Sequence, residues 1–282
     1  MDYRPLGRTG MVTSVIGLGG GSSGRFGLKH GTKADAVALI RCALDEGITL
    51  FDGAGLAGGV DAVLAEALGR DREHVILCSK VHLGPHIPLS GDARFANQVA
   101  AWVARKRGWV CSPVTLRRRV EATLRQLRTD RIDVLQMHAV TPRQYARLGK
   151  ILPALEALKA EGKVRAIGIT EGFLSDPSHA MLRQAVADGR LDVLMTGFNL
   201  RNRSAADAVI PRAKAAGMGV ITMFAVRGLP PDQADVAYNF CRHQPGVDVV
   251  MTGTGNIAHL KQNIAAALAL PLSHPGHSPS TR

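Results

Sequence analysis

The feature that most restricts the fold is a regular alternation of short apolar runs with amphipathic helical stretches. After residues 3–14, whose turn residues Gly7 and Thr9-Gly10 predict a short hairpin, runs and helices follow one another without interruption. Residues 13–19, 49–52, 75–80, 132–138, 164–169, 191–199, 218–224 and 247–251 read as strands. Residues 35–46, 60–68, 115–127, 143–160, 177–188, 205–216, 232–243 and 257–270 read as the helices between them. Several carry their own end signals: Thr32 as N-cap and Gly47 as stop, Ser112 as N-cap with Pro113 at the first helical position, Gly162 as terminator. Strand and helix alternating eight times predicts an α/β chain of one architecture, a (β/α)8 TIM barrel with an N-terminal β-hairpin. Such a barrel runs to about 250 residues as a single domain, so the 282 residues read as one barrel over 1–272 and a Pro-, Ser- and His-rich tail, 273–282, expected to be disordered.

One connection is longer than a barrel needs. From Lys80 to Pro113 the chain spends about thirty residues, with a predicted extra helix at 93–107 that ends in Arg105-Lys106-Arg107. This long loop after strand 3 follows a strand, so it lies at the C-terminal rim, where barrels build their sites. Another loop, Gly19-x-Gly21-x-x-Gly24, passes a loose dinucleotide-fingerprint test. The glycines do not open into a helix, which starts only after Thr32, so an ordinary glycine-rich loop is the better reading.

Three successive strands end in ionisable residues: Asp52, Lys80 and His138. In a parallel sheet all three emerge at one rim. A carboxylate at the end of a buried strand is costly without a partner, and Lys80 supplies one. Spacing alone leaves two readings open: a catalytic cluster, or a structural ion pair beside a satisfied histidine. His82 lies two residues beyond Lys80, on the same face of an extended strand end, and its ordinary pKa of about 6.5 suits proton transfer at neutral pH. An exposed rim histidine is the competing reading.

Composition sets the outer limits. No apolar run approaches the roughly 20 residues of a membrane span, and the N-terminus lacks a signal-peptide core. Cys42, Cys78, Cys111 and Cys241 form no CxxC pairing, so they read as reduced thiols in a cytoplasmic protein. The net charge of +12 is spread over many helices, with no recognition motif or aromatic-interleaved basic stripe. That pattern argues against nucleic acid as a partner and leaves a solvated basic surface or an anionic ligand. A small-molecule substrate is expected, and Arg105 to Arg107 on the rim loop hint at an anionic one. No membrane partner is expected.

Tyr3-Arg4-Pro5-Leu6-Gly7-Arg8-Thr9-Gly10, the strand ends Phe51-Asp52, Ser79-Lys80 and Gln136-Met137-His138, the stretch from Gly162 to Ile169, and Gly253-Thr254-Gly255-Asn256 through Asn263 resemble the aldo-keto reductase family along nearly the whole chain. The resemblance implies a barrel that binds NADP or NAD in extended form. Thr170, Gly253, Thr254, Asn256, His259 and Asn263 fall at cofactor-binding positions, and Asp52, Lys80 and His138 at catalytic ones. In the family a tyrosine, its pKa lowered by the lysine, donates the proton. Here that position falls on Ala57, and the only tyrosines are Tyr3, Tyr145 and Tyr238. The family's Ser-Asn reads Thr170-Glu171, its amide-binding Gln falls on Met195, its nicotinamide-stacking aromatic on Met223, and its 2′-phosphate arginine on His259.

The resemblance therefore implies an NAD(P)-linked oxidoreductase of aldo-keto reductase type acting on a small carbonyl or alcohol with non-standard acid/base residues. His82 is the leading substitute acid and Tyr145 a weaker one. Two alternatives stand beside it: a redox-neutral lyase or isomerase (elimination, isomerisation or an aldol-type step) on the same barrel, and a catalytically inactive ligand-binding scaffold.

Overall fold

The protein is seen in a computed structural model that describes residues 1–21, 24–55, 59–84, 94–172 and 176–272. The positions Ala57, Ser22, Ser23 and the tail from Ser273 lie outside the described residues.

The chain opens with β1 (Tyr3–Pro5) paired antiparallel to β2 (Val12–Ser14). It then builds a closed parallel barrel of β3 (Ile16–Gly19), β4 (Leu50–Asp52), β5 (Ile76–Val81), β6 (Ile132–Val140), β7 (Val164–Glu171), β8 (Val193–Gly197), β9 (Gly219–Met223) and β10 (Val249–Thr252). Sequential strands pair in order, and β10 returns to β3 through Val250↔Ile16 and Thr252↔Leu18. Around the barrel run α1 (Lys33–Asp45), α2 (Val60–Leu68), α3 (Arg94–Arg107), α4 (Pro113–Leu127), α5 (Pro142–Tyr145), α6 (Leu152–Ala160), α7 (Ala180–Asp188), α8 (Ser204–Ala208), α9 (Ile210–Ala215), α10 (Ala234–His243) and α11 (Ile257–Leu268).

The apolar strands bury both faces, as parallel strands covered by helices do. Leu50, Ile76, Cys78, Val134, Ala166, Val193, Ile221 and Val249 fill the barrel interior, while Leu39, Leu64, Leu124, Leu155, Leu182 and Leu260 belong to the outer layer beneath the helices. Leu6 and Met11, from the hairpin turn, join the inner cluster and plug the N-terminal end. Gly7 permits that fit: its φ is +51°, and a Cβ there would sit 2.2 Å from the Gly219 nitrogen.

Local capping follows the sequence closely. The Thr32 side chain accepts from Asp35 N while Asp35 reaches back to Thr32 N, and the Ser112 hydroxyl accepts from Thr115 N ahead of Pro113. Four elements depart from expectation. The predicted strand 13–19 divides, Val15 carrying the chain from hairpin to barrel with its amide on Asp2 O at 3.1 Å. The predicted helix 143–160 breaks into α5, a 3₁₀ turn at Leu148–Lys150 and α6, where proline occupies the first turn and has no amide to continue the ladder. The helix 205–216 breaks at Val209 (φ −129°, ψ −53°), ahead of Pro211, into α8 and α9. The helix 177–188 begins only at Ala180, because His179 sits in the left-handed region at φ 54° and Asp176 caps Ala180 N and Met181 N at 2.9 and 2.8 Å.

Candidate active site

Strand alternation brings Asp52, Lys80, His138 and Thr170 to the C-terminal rim, where they line one cleft of about 500 Å³ with Gly19, Gly21, Met195, Met223, Met251 and Gly253. The Lys80 ammonium donates to Asp52 Oδ2 at 2.5 Å and to the Gly53 carbonyl at 2.7 Å. Both partners are nearly buried, at 8% and 4% exposure, so the pair sits where screening is weak. Burial pushes the Asp52 carboxyl above its ordinary pKa even though the Lys80 charge pulls it down. Desolvation thus outweighs attraction, as expected of a closed ion pair. The second oxygen, Asp52 Oδ1, is buried with no hydrogen-bond partner among the described residues.

The turn after β4 is held from two sides. Gly20 N donates to Asp52 O at 2.8 Å and Gly53 N to Cys78 O at 2.8 Å. Buried Asp61 accepts from Ala54 N at 2.9 Å and from the Ser79 hydroxyl at 3.2 Å. Gly55, at φ +56°, passes so near β5 that a Cβ would lie 1.9 Å from the Lys80 carbonyl oxygen. Only glycine lets the Asp52 loop lie across the Lys80 strand at this spacing.

Beside this pair, His138 Nδ1 lies 3.3 Å from His82 Nδ1, the two rings meeting edge to face at 71° with centroids 4.5 Å apart. Burial drives the His138 pKa well below 6.5, and the charges of His82, Lys80 and Arg105 push it the same way. His138 is therefore a neutral imidazole at neutral pH. His82 lies beside His138 and is not among the described residues that line the cleft. Arg119 steadies that segment through the carbonyls of His82 and Gly84.

Two tyrosine hydroxyls near the barrel are tied up in hydrogen bonds of their own. Tyr145, weighed as a substitute acid, turns away from the rim: its hydroxyl donates to Asp188 Oδ2 on α7 at 2.8 Å, and its pKa is pushed up to about 12. That corrects the expectation for Tyr145. Tyr238 on α10 does line the cleft, but its hydroxyl donates to Thr252 Oγ1 at 2.9 Å, and burial again pushes its pKa to about 12.

Of the residues expected from the sequence to bind a cofactor, Thr170 and Gly253 face the cleft. The Thr170 hydroxyl donates to Gln136 Oε1 at 2.6 Å, leaving the Gln136 amide nitrogen buried without an acceptor among the described residues. Thr254 accepts from Asn256 N at 3.1 Å, and Asn256 Oδ1 caps α11 at His259 N, 3.1 Å away. His259 is exposed on the first turn of α11. Asn263 faces back to the barrel, its amide donating to Thr252 Oγ1 at 2.8 Å. Glu171 is withdrawn from the cleft altogether: its carboxylate takes Gly197 N at 2.6 Å, Thr196 Oγ1 at 3.0 Å and buried His179 Nδ1 at 2.7 Å, and His179 Nε2 lies 2.8 Å from Ser204 Oγ.

Sequence reasoning missed Met251, Phe224, Arg227 and Tyr238 in the cleft wall. Met251 was within reach, lying two residues before Gly253 and so on the same strand face. The others come from a βα loop and a helix whose approach no spacing encodes.

An eight-stranded parallel barrel with a buried Asp–Lys pair and a histidine at its C-terminal rim defines a class of (β/α)8 enzyme scaffold. The model of the Aldo/keto reductase family matches residues 15–231, and the chain belongs to that family. It is 32% identical over 241 residues to the uncharacterized oxidoreductase YrpG of Bacillus subtilis, covering 81% of this chain and 67% of that protein. It is 29% identical to the L-galactose dehydrogenase of Arabidopsis thaliana over 79% of this chain and 64% of that one. The chain thus spans about two thirds of these relatives' length. A solved structure of a Pseudomonas aeruginosa protein assigned as an aldo-keto reductase superposes with a TM-score of 0.73 at 29% identity, over 94% of each chain. AKR11C1 of Bacillus halodurans shares the fold at a TM-score of 0.75 and 22% identity.

Proposed function

We propose that this chain is an NAD(P)-linked oxidoreductase that interconverts a small carbonyl compound and its alcohol, with a histidine pair in the place of the family's tyrosine. The observation that carries the reading is the Lys80–Asp52 pair bordering the same cleft as His138, which is backed by His82 at 3.3 Å. Family membership supports the reaction class. Among the relatives, the NADH-specific methylglyoxal reductase of Escherichia coli, 26% identical over 235 residues, is named for such a reaction.

The cleft suits an extended dinucleotide. Gly19, Gly21 and Gly253 leave backbone bare for close approach, and Met195, Met223 and Met251 give an apolar wall for a flat ring. Thr170, Gly253 and Thr254 are the residues that would hold the cofactor along this wall, with Asn256 and His259 at its outer end. A bound nicotinamide supplies or accepts the hydride.

The protein's own part is charge and proton handling. Lys80, fixed by Asp52 and Gly53 O, places a positive charge beside the substrate oxygen and stabilises the negative charge that develops there. Neutral His138 donates a ring proton to that oxygen while its Nδ1 takes one from His82 Nδ1. His82, partly open to solvent, is refilled from water. His82 thereby acts one step behind the substrate rather than on it.

Titrating the protein with NADPH and NADH while following nicotinamide fluorescence, then assaying methylglyoxal and simple aldehydes, tests the reading. Saturable binding with turnover is expected. Tight binding without turnover on any carbonyl would favour the redox-neutral alternative, and no binding at all would leave a scaffold.

A further inference from the structure

The chain has two tryptophans, and both stand in solvent on the same segment: Trp102 is 60% and Trp109 49% exposed. On α3, Val99 (43% exposed), Trp102 and Lys106 fall at helical spacing along one face, opposite the fully buried Ala104. Lys106 Nζ lies 5.7 Å from the Trp102 ring centroid. The end of α3 then gathers further cations. Arg143 Nη1 donates to Lys106 O at 2.6 Å, and Arg147 Nη1 to Arg107 O and Gly108 O at 3.0 and 3.1 Å. Lys150 joins Arg147 and Trp109 around a surface cavity of about 320 Å³ floored by Leu83, Val110 and Cys111.

The sequence shows the basic charge spread over many helices; here part of it gathers beside exposed indoles. Residues 94–120 and 142–150 contain no Asp or Glu. Several surface cations elsewhere pair with carboxylates, as in Arg41–Asp71, Arg117–Glu161, Arg190–Asp188 and Lys214–Asp248. Among the described residues, Lys106, Arg107, Arg143, Arg147 and Lys150 have no carboxylate partner. Exposed indoles and an aliphatic side chain ringed by uncompensated cations match the physics of a lipid interface. Indoles settle at the headgroup level, and each Lys or Arg near an anionic surface gains about 1 kcal/mol. Nucleic acid is the other polyanion, but Val99 on the same stripe has no face on which a base could stack.

We propose that the exposed face of α3, with Trp109, Lys106, Arg107, Arg143, Arg147 and Lys150, docks peripherally on anionic phospholipid bilayers. The expectation of no membrane partner rested on the lack of a spanning segment, and a peripheral contact needs none. Because α3 lies in the connection after β5, docking would turn the rim that carries Lys80 toward the bilayer.

The test uses the full-length protein and sucrose-loaded vesicles of phosphatidylglycerol and phosphatidylcholine against pure phosphatidylcholine. Co-sedimentation with the anionic vesicles only, weakening with salt, is expected, together with a blue shift of emission, since both tryptophans lie on the proposed surface. Trp102→Ala/Trp109→Ala should abolish binding. Lys106→Gln/Arg107→Gln should weaken it by roughly thirtyfold. Thermal unfolding of each variant checks that it is folded. Absence of binding to anionic vesicles at low salt, binding that both folded double variants retain, or pelleting without an emission shift would overturn the proposal. So would tighter binding of a single-stranded oligonucleotide that the same substitutions abolish.

Discussion

His138 and His82 face each other through their Nδ1 atoms at 3.3 Å, so at any moment one nitrogen donates and the other accepts. Neither ring can be replaced without changing the protonation of its neighbour. In the proposed reaction His138→Gln should lower kcat by about 10²–10⁴, while leaving cofactor binding intact. His82→Gln should lower kcat less and with KM little changed, and added imidazole should restore part of the loss. Equal and unrescued losses would mean that His82 shapes the site rather than refilling it.

Acid should weaken the fold through His138. Its folded pKa lies well below 6.5, so the unfolded chain binds its proton first as pH falls. The stability it contributes is complete above about pH 6.5 and is lost progressively below it. His138→Phe, which keeps an apolar ring, should flatten urea-unfolding stability between about pH 6.5 and 5. An unchanged slope would assign the acid sensitivity to other groups.

Truncating one member of the Lys80–Asp52 pair leaves the other buried and unpaired. Lys80→Met or Asp52→Asn should each cost up to about 3–5 kcal/mol of unfolding free energy, less to the extent that rim water reaches the site. The double variant should cost less than the sum, because the two changes remove one interaction. Additive losses in chemical denaturation would refute coupling across the 2.5 Å contact.

Cofactor choice should be weak. His259 is exposed on the first turn of α11, and the resemblance of the sequence puts it at the position of an arginine expected to meet the 2′-phosphate. Losing one charge-assisted contact is worth about 1.5–3 kcal/mol. Dissociation constants measured by fluorescence should therefore favour NADPH over NADH only modestly, and a preference of a thousandfold or more would contradict this.

Local rules made much of the fold legible in the linear chain. Apolar runs of strand length between capped helices determine the barrel, since eight parallel strands with covering helices are the arrangement that buries every run. Period-two alternation placed Asp52, Lys80 and His138 on one rim, because strand ends in a parallel barrel share a direction. Proline-containing helices were misread as continuous, and the left-handed backbone at His179 was invisible, since its Glu171 and Ser204 partners are contributed by separate elements. Whether His82 reaches the cleft or backs His138, whether Tyr145 turns inward or onto Asp188, and whether the cations near Trp102 disperse or converge depend on how loops cross the rim. Those are contacts between residues far apart in the chain, set by packing of the whole barrel. Only the tertiary structure decided them.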